Sequence, residues 1–133
     1  MNGTLSNRIP VVSGVPQGSV LGPALFVIFV NDLPDCVKCH IRMFADDAKL
    51  YGSPSLAGSL AVNQMQVDLE AMTDWSLSWQ LPFNQKKCKI LHLGRGNPRR
   101  QYSLLDAPVA EASQERDLGV IVDEELKFRK QAA

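Results

Sequence analysis

Hydrophobic and polar positions change rhythm several times along the 133 residues, and each rhythm predicts an element. The first is an uncharged run from Ile9 to Val30, interrupted by Pro10, Ser13, Pro16, Gln17, Ser19 and Pro23. Only Ala24 to Val30 is unbroken, far short of the roughly 20 residues that a membrane-spanning helix needs. The run therefore predicts a buried helix, capped by Ser19 and continuing through Leu25, Phe26, Ile28 and Phe29 to Leu33, with Pro34 as its stop. Ahead of it, Thr4 to Val12 reads as weak strand or hairpin material.

Short apolar runs rich in strand formers come next, on either side of two carboxylates. Ile41 to Phe44 predicts one strand, Leu50 and Tyr51 belong to a second, and Gly52-Ser53-Pro54 ends it. Asp46 and Asp47 then fall at the tip of a hairpin. Val62, Met65, Leu69, Met72, Trp75 and Trp79 recur at three- and four-residue steps, with Asp68, Glu70 and Asp74 off that stripe. This predicts a helix whose stripe is core and whose end is Pro82. Cys88 to Leu93 predicts a strand closed by Gly94-Arg95-Gly96-Asn97-Pro98, and Leu118 to Val122 a last strand after the polar Asp106–Asp117 stretch. Helix, hairpin, helix and strand in this order suggest an α+β fold, a layer of helices on an antiparallel sheet.

Composition changes this picture little. Lysine plus arginine equals aspartate plus glutamate at 14 each, so no global charge points to a polyanion. Three cysteines (Cys36, Cys39 and Cys88) and an N-terminus without a secretory pattern predict free thiols in a protein that is intracellular, in nucleus or cytoplasm, and not secreted. The local distribution of charge says more. No acid occurs from Trp75 to Leu105, while Lys86, Lys87, Lys89, Arg95, Arg99 and Arg100 fall inside that window. Such clustering suits a phosphate backbone, although Arg99 and Arg100 fit an ordinary solvated loop equally well.

Cys36-Val37-Lys38-Cys39-His40 spells a c-type haem attachment pattern. Covalent haem requires export and an axial partner, and zinc through Cys36, Cys39 and His40 lacks a fourth ligand. The match is read as coincidence, with no haem and no membrane association expected.

Two constellations carry chemistry. Neighbouring side chains on a strand point apart, but at a tight turn Asp46 and Asp47 can both reach one site. Paired carboxylates suit a hard cation such as Mg²⁺, which takes oxygen ligands and keeps waters for a phosphate substrate. For an isolated pair, a solvated Asp-Asp turn is the simpler account. Gly14-Val15-Pro16-Gln17-Gly18-Ser19-Val20-Leu21-Gly22-Pro23 is glycine-rich and opens a helix, which favours close backbone approach and phosphate. It lacks the Lys-Ser/Thr of a P-loop, so on its own it is a structural turn and cap.

Read in order, these segments resemble reverse transcriptases of non-LTR retrotransposons, LINE-like elements of the CR1/jockey type. The resemblance is carried by Gly14 to Pro23, Phe29-Val30-Asn31-Asp32-Leu33, Phe44-Ala45-Asp46-Asp47, Asn84-Gln85-Lys86-Lys87-Cys88 and Asp117-Leu118-Gly119-Val120, and runs from about Ile9 to Phe128. It implies a partial polymerase palm over 1–105, a ferredoxin-like antiparallel sheet with helices on one face. Residues 106–133 would then be a primer-grip-like strand and the truncated start of a thumb. Asp46 and Asp47 would be catalytic carboxylates and ligands of a two-metal Mg²⁺ site, and Lys87 would act near the leaving pyrophosphate. Gln17, Gly18, Ser19, Phe44 and Ala45 would line the template and incoming-nucleotide pocket, and Leu118, Gly119 and Val120 would support the primer end. Lys86, Lys89 and Arg95 would track a nucleic-acid backbone. RNA template, DNA primer and dNTP are the implied partners.

The family's first metal aspartate lies upstream of the glycine-rich loop, and no acid precedes Asp32 here. The expectation is a palm fragment of an RNA-directed DNA polymerase, inactive alone and marginally stable. Asp32 is expected to be solvated or capping, not a replacement ligand. The alternative is a non-catalytic remnant that binds nucleic acid or a partner through the basic window.

Overall fold

The computed structural model describes residues 10, 14, 18–52 and 59–127, with the side chains of 59–63 outside the description. They belong to two compact units, Met1–Asn31 and Asp32–Ala133, each described by itself. The expected strand material over Thr4 to Val12, apart from Pro10, lies outside the described residues, as do Ser53 and Pro54.

In the first unit, α1 spans Leu21–Phe29. Ser19 caps it as expected: its Oγ accepts the backbone N–H of Gly22 at 3.0 Å, one of the donors a helix start leaves unpaired. The helix ends at Phe29, ahead of the expected Leu33. Pro34 does not stop it; this proline lies in the first turn of a separate 3₁₀ helix, Leu33–Cys36, where a missing N–H costs nothing. The expected burial of α1 is also not met, since Leu21 and Ile28 are 69% and 71% exposed. An uncharged run shows that a helix gains from cover, but it cannot supply that cover.

In the second unit, β1 (His40–Phe44) and β2 (Asp47–Tyr51) form an antiparallel hairpin, in register from Phe44↔Asp47 to His40↔Tyr51. Helix α2 follows over Ser59–Ser78. Among the described residues of this unit, Leu33, Met72, Trp75, Leu104 and Val109 are the buried apolar ones. The stripe expected from the sequence supplies Met72 and Trp75, whereas Trp79 is exposed and the Val62 side chain lies outside the description. Asp68, expected off the stripe, is only 1% exposed. It sits one and two helical turns from Met72 and Trp75, so the buried arc includes it.

Pro82 is not what ends α2. Gln80 takes a left-handed φ of 54°, Leu81 N–H donates to Ser76 O at 2.9 Å and Gln80 N–H to Leu77 O at 3.3 Å. That is a Schellman stop, whose left-handed position normally holds glycine. Because the Gln80 side chain is exposed, Gln80→Gly removes strain without losing packing. It is expected to raise unfolding stability by about 1 kcal/mol in a urea titration. An unchanged or lower midpoint would contradict this cap.

The remaining strands form three further two-stranded ladders. β3 (Lys89–Leu91) pairs in parallel with β6 (Ala110–Ala112), β4 (Ser103–Leu104) pairs with β5 (Ala107–Pro108), and β7 (Gln114–Asp117) pairs with β8 (Val120–Asp123). The mixed α+β class is as expected. The 106–117 stretch, which showed no element in sequence, carries β5, β6 and β7, because short exposed strands pair through backbone and need no apolar alternation. The predicted strand over Leu118–Val122 begins only at Val120, with Leu118 and Gly119 forming a turn. Helix α2 covers one open edge: Gln66 accepts the N–H of Ser103 at 3.0 Å and donates to its carbonyl at 3.2 Å, standing in for a neighbouring strand.

Candidate functional site

The hairpin loop consists of Ala45 and Asp46 alone, closed by the Phe44↔Asp47 pair. Ala45 has φ 52°, and Asp46 is not in the positive region. A positive φ at only the first loop residue is the type II′ pattern, which normally takes glycine there, so an alanine is held under backbone strain. β2 thus starts at Asp47, ahead of the expected Leu50. Asp46 stands on the loop, Asp47 on the first position of a strand, and both are exposed. One face of the hairpin presents Phe44, Arg42 and His40 opposite Asp47, Lys49 and Tyr51, with Phe44 61% exposed. The other face holds the half-buried Ile41, Met43 and Leu50.

The base of this hairpin hangs on α2. Asp68 Oδ2 accepts the backbone N–H of Cys39 at 2.6 Å, and Oδ1 accepts Gln64 Nε2 at 2.7 Å. Burial pushes the Asp68 carboxyl up, but hydrogen bonds from the Cys39 and Lys38 backbone, the Cys39 thiol and Gln64 together hold it below the usual range. Burial and the same carboxylate push the Cys39 thiol up to about 11. Cys36 Sγ donates to Leu33 O at 3.0 Å, and its thiol is raised too, first by burial. Burial thus raises both thiols of the haem-like pattern. Asp32 accepts the Trp75 indole N–H at 3.1 Å, a packing role. Gly52 is a close approach: a Cβ there would lie 2.5 Å from Met65 Cε.

The second hairpin, β7–β8, turns through Leu118 (φ 47°) and Gly119 (φ 89°), the double positive φ of a type I′ turn. Leu118 is strained in that conformation and 58% exposed at the tip. An ion pair between Lys49 and Asp117 ties this hairpin to the first. Sequence reading quoted Asp117 within a motif but had no signal for its pairing with Lys49. Asp68 was within reach of a stricter helical phase count.

Lys86 and Lys87 are exposed on the turn before β3, Lys89 is exposed on β3, and Arg95 is exposed in the following loop. Among the described residues none of these four enters an ion pair, whereas Arg99 pairs with Glu124. The acid-free window is thus neutralised in part from outside, where Glu124 reaches Arg99. Gly18 and Ser19 belong to the first unit, and Gln17 lies outside the described residues. Among the described residues no group of three or more His, Cys, Asp or Glu side chains could hold a metal ion. No described helix is long and apolar enough to cross a membrane.

Residues 1–128 match the family described as reverse transcriptase (RNA-dependent DNA polymerase). The chain is 31% identical to the RNA-directed DNA polymerase from mobile element jockey of Drosophila melanogaster, over 98% of this chain and 15% of that protein. It is 33% identical to the probable RNA-directed DNA polymerase from transposon BS of the same species, over 92% of this chain and 15% of the relative. The corresponding X-element protein is 30% identical over 95% of this chain. The chain spans about 15% of the length of the curated relatives it matches. No solved structure matches it. Because the family match spans residues 1–128, a range that includes both strained hairpins, the chain belongs to the reverse transcriptase family, in the branch of non-LTR retrotransposons.

Proposed function

We propose that these residues form part of the palm of an RNA-directed DNA polymerase and carry two of its catalytic carboxylates, Asp46 and Asp47. The observation that carries this is the strained two-residue turn, which sets two exposed carboxylates side by side in a chain of this family. Reverse transcriptases use divalent metal ions. The donors here fit Mg²⁺: oxygen only, adjacent, and among the described residues in no ion pair. Magnesium needs one or two carboxylates and takes its remaining ligands from water and phosphate. When bound, such ions neutralise charge on the attacking and leaving oxygens of nucleotidyl transfer.

The other assignments belong to the same proposal. Lys87, exposed and unpaired by any described acid, donates to the leaving pyrophosphate. Gln17, Gly18, Ser19, Phe44 and Ala45 line the template and dNTP pocket; the Ser19 hydroxyl, already an acceptor for Gly22, keeps its proton for donation. Leu118, Gly119 and Val120 support the DNA primer on the RNA template. Residues 1–105 are palm, 106–133 the primer-grip-like strand and thumb start, and the setting is intracellular. Primer extension by a polymerase carrying this segment is expected to cease on chelation and return with Mg²⁺. Extension indifferent to the chelator would overturn the proposal.

The exposed, unpaired Lys86, Lys89 and Arg95 support backbone binding, in the enzyme or in a non-catalytic remnant. Neutralising all three is expected to weaken binding to unrelated single-stranded RNAs equally. Each lost phosphate contact should flatten the log–log salt slope by roughly 0.7. A slope that stays put would remove these residues from the account.

A further inference from the structure

Lys49 and Asp117 join the two hairpins directly. Lys49 lies two positions after Asp47 on β2, so strand alternation puts their side chains on one face. Asp117 closes β7, opposite Val120 across the Leu118–Gly119 turn. The bond therefore fixes the root of that turn beside the strand that begins at Asp47. The two side chains keep 29% and 35% of their surface, and ion pairs so exposed contribute little to folding. What such a pair does supply is a fixed orientation. Asp117 thereby occupies a cation that would otherwise be free to turn to Asp47.

We infer that Lys49 and Asp117 form a strut that sets the 117–120 turn relative to Asp46 and Asp47, and that both are positioning residues for the primer end. The inference rests on the polymerase reading above. A primer end supported by one hairpin has to meet carboxylates on the other, and a misplacement of about 1 Å costs on the order of a hundredfold in rate.

Two measurements test it. Carbodiimide treatment of the unaltered 133-residue chain should form an amide between Lys49 Nζ and the Asp117 carboxyl, with water lost to the reagent, read as a cross-linked peptide by mass spectrometry. A Lys127–Glu125 link, from the other exposed pair, is the internal control. In a polymerase carrying this segment, K49M and D117N should each lower kcat about a hundredfold while KM for the primer–template changes less than threefold. The reversal K49E/D117K should recover at least tenfold over either reversal alone. A control link without the 49–117 link, or kcat values like the parent's in a polymerase that D46N inactivates, would overturn the strut alone. Activity that survives D46N would instead overturn the polymerase reading, leaving the cross-link to report on the strut.

Discussion

Asp46→Asn is expected to lower primer extension about a thousandfold in a polymerase that carries this segment. The substitution keeps the shape of the side chain and removes the charge on which a divalent ion depends. Loss of one preorganised electrostatic group at a reacting oxygen costs in the range of a hundred- to a thousandfold, and a charge held directly on the ion belongs at the upper end. Asp47→Asn should follow, since the register places it next along the same turn. Folding should not be affected, because both side chains are exposed and substitutions at such sites stay within about 0.5 kcal/mol. Steady-state extension and thermal melts on the same preparations separate the two effects. Extension within tenfold of the parent would mean that these carboxylates are an ordinary solvated turn.

Asp68→Ala is expected to be the most damaging substitution for the fold, at about 3 kcal/mol. Its buried carboxylate accepts from the Cys39 backbone and from Gln64, and removing a charged acceptor leaves buried donors unpaired. Asp68→Asn keeps one acceptor oxygen and should lose less. The pH dependence carries a definite sign. The folded carboxyl is held below its unfolded value near 3.9, so its contribution is complete above about pH 4 and is lost as pH falls through the folded value. Asn at this position should abolish that part of the acid slope. It should also release the Cys39 thiol from about 11 toward the ordinary range, so that alkylation at pH 8 accelerates. Urea melts at pH 7 and pH 3, together with maleimide labelling, check all of these. An Ala variant that melts like the parent would show that the hairpin does not hang on this residue.

The two predictions differ in how far they could be read from the chain. Asp46 and Asp47 were legible because a hairpin is a local object: strand formers at Ile41–Phe44 and at Leu50–Tyr51 leave few other ways to pair, although the two-residue loop itself came only with the structure. The Ser19 cap is local in the same sense, and so is most of α2, whose three- and four-residue steps located Met72 and Trp75. What determines these elements lies within one turn or one hairpin of each residue. The left-handed Ala45, Gln80 and Leu118 were not legible, because each is a non-glycine residue held where its own preference would not put it. Only surrounding packing and pairing can impose that conformation.

Tertiary structure alone decided the rest. Asp68 looked like a solvated helix residue until Cys39, 29 positions away, gave its carboxylate a donor. The acid-free basic window met Glu124 from beyond its own end, and Lys49 met Asp117 across 68 residues. The parallel β3–β6 ladder joined a recognisable strand to a three-residue one too short to read from the chain. By itself the sequence determined the family, the hairpin with its two carboxylates and the two helices, since each rests on residues near one another in the chain. Partners far apart depend on which loops close, and loop-closure entropy differs little among the candidates. The choice among them therefore falls to the sum of the packing around them, which no short stretch of sequence contains.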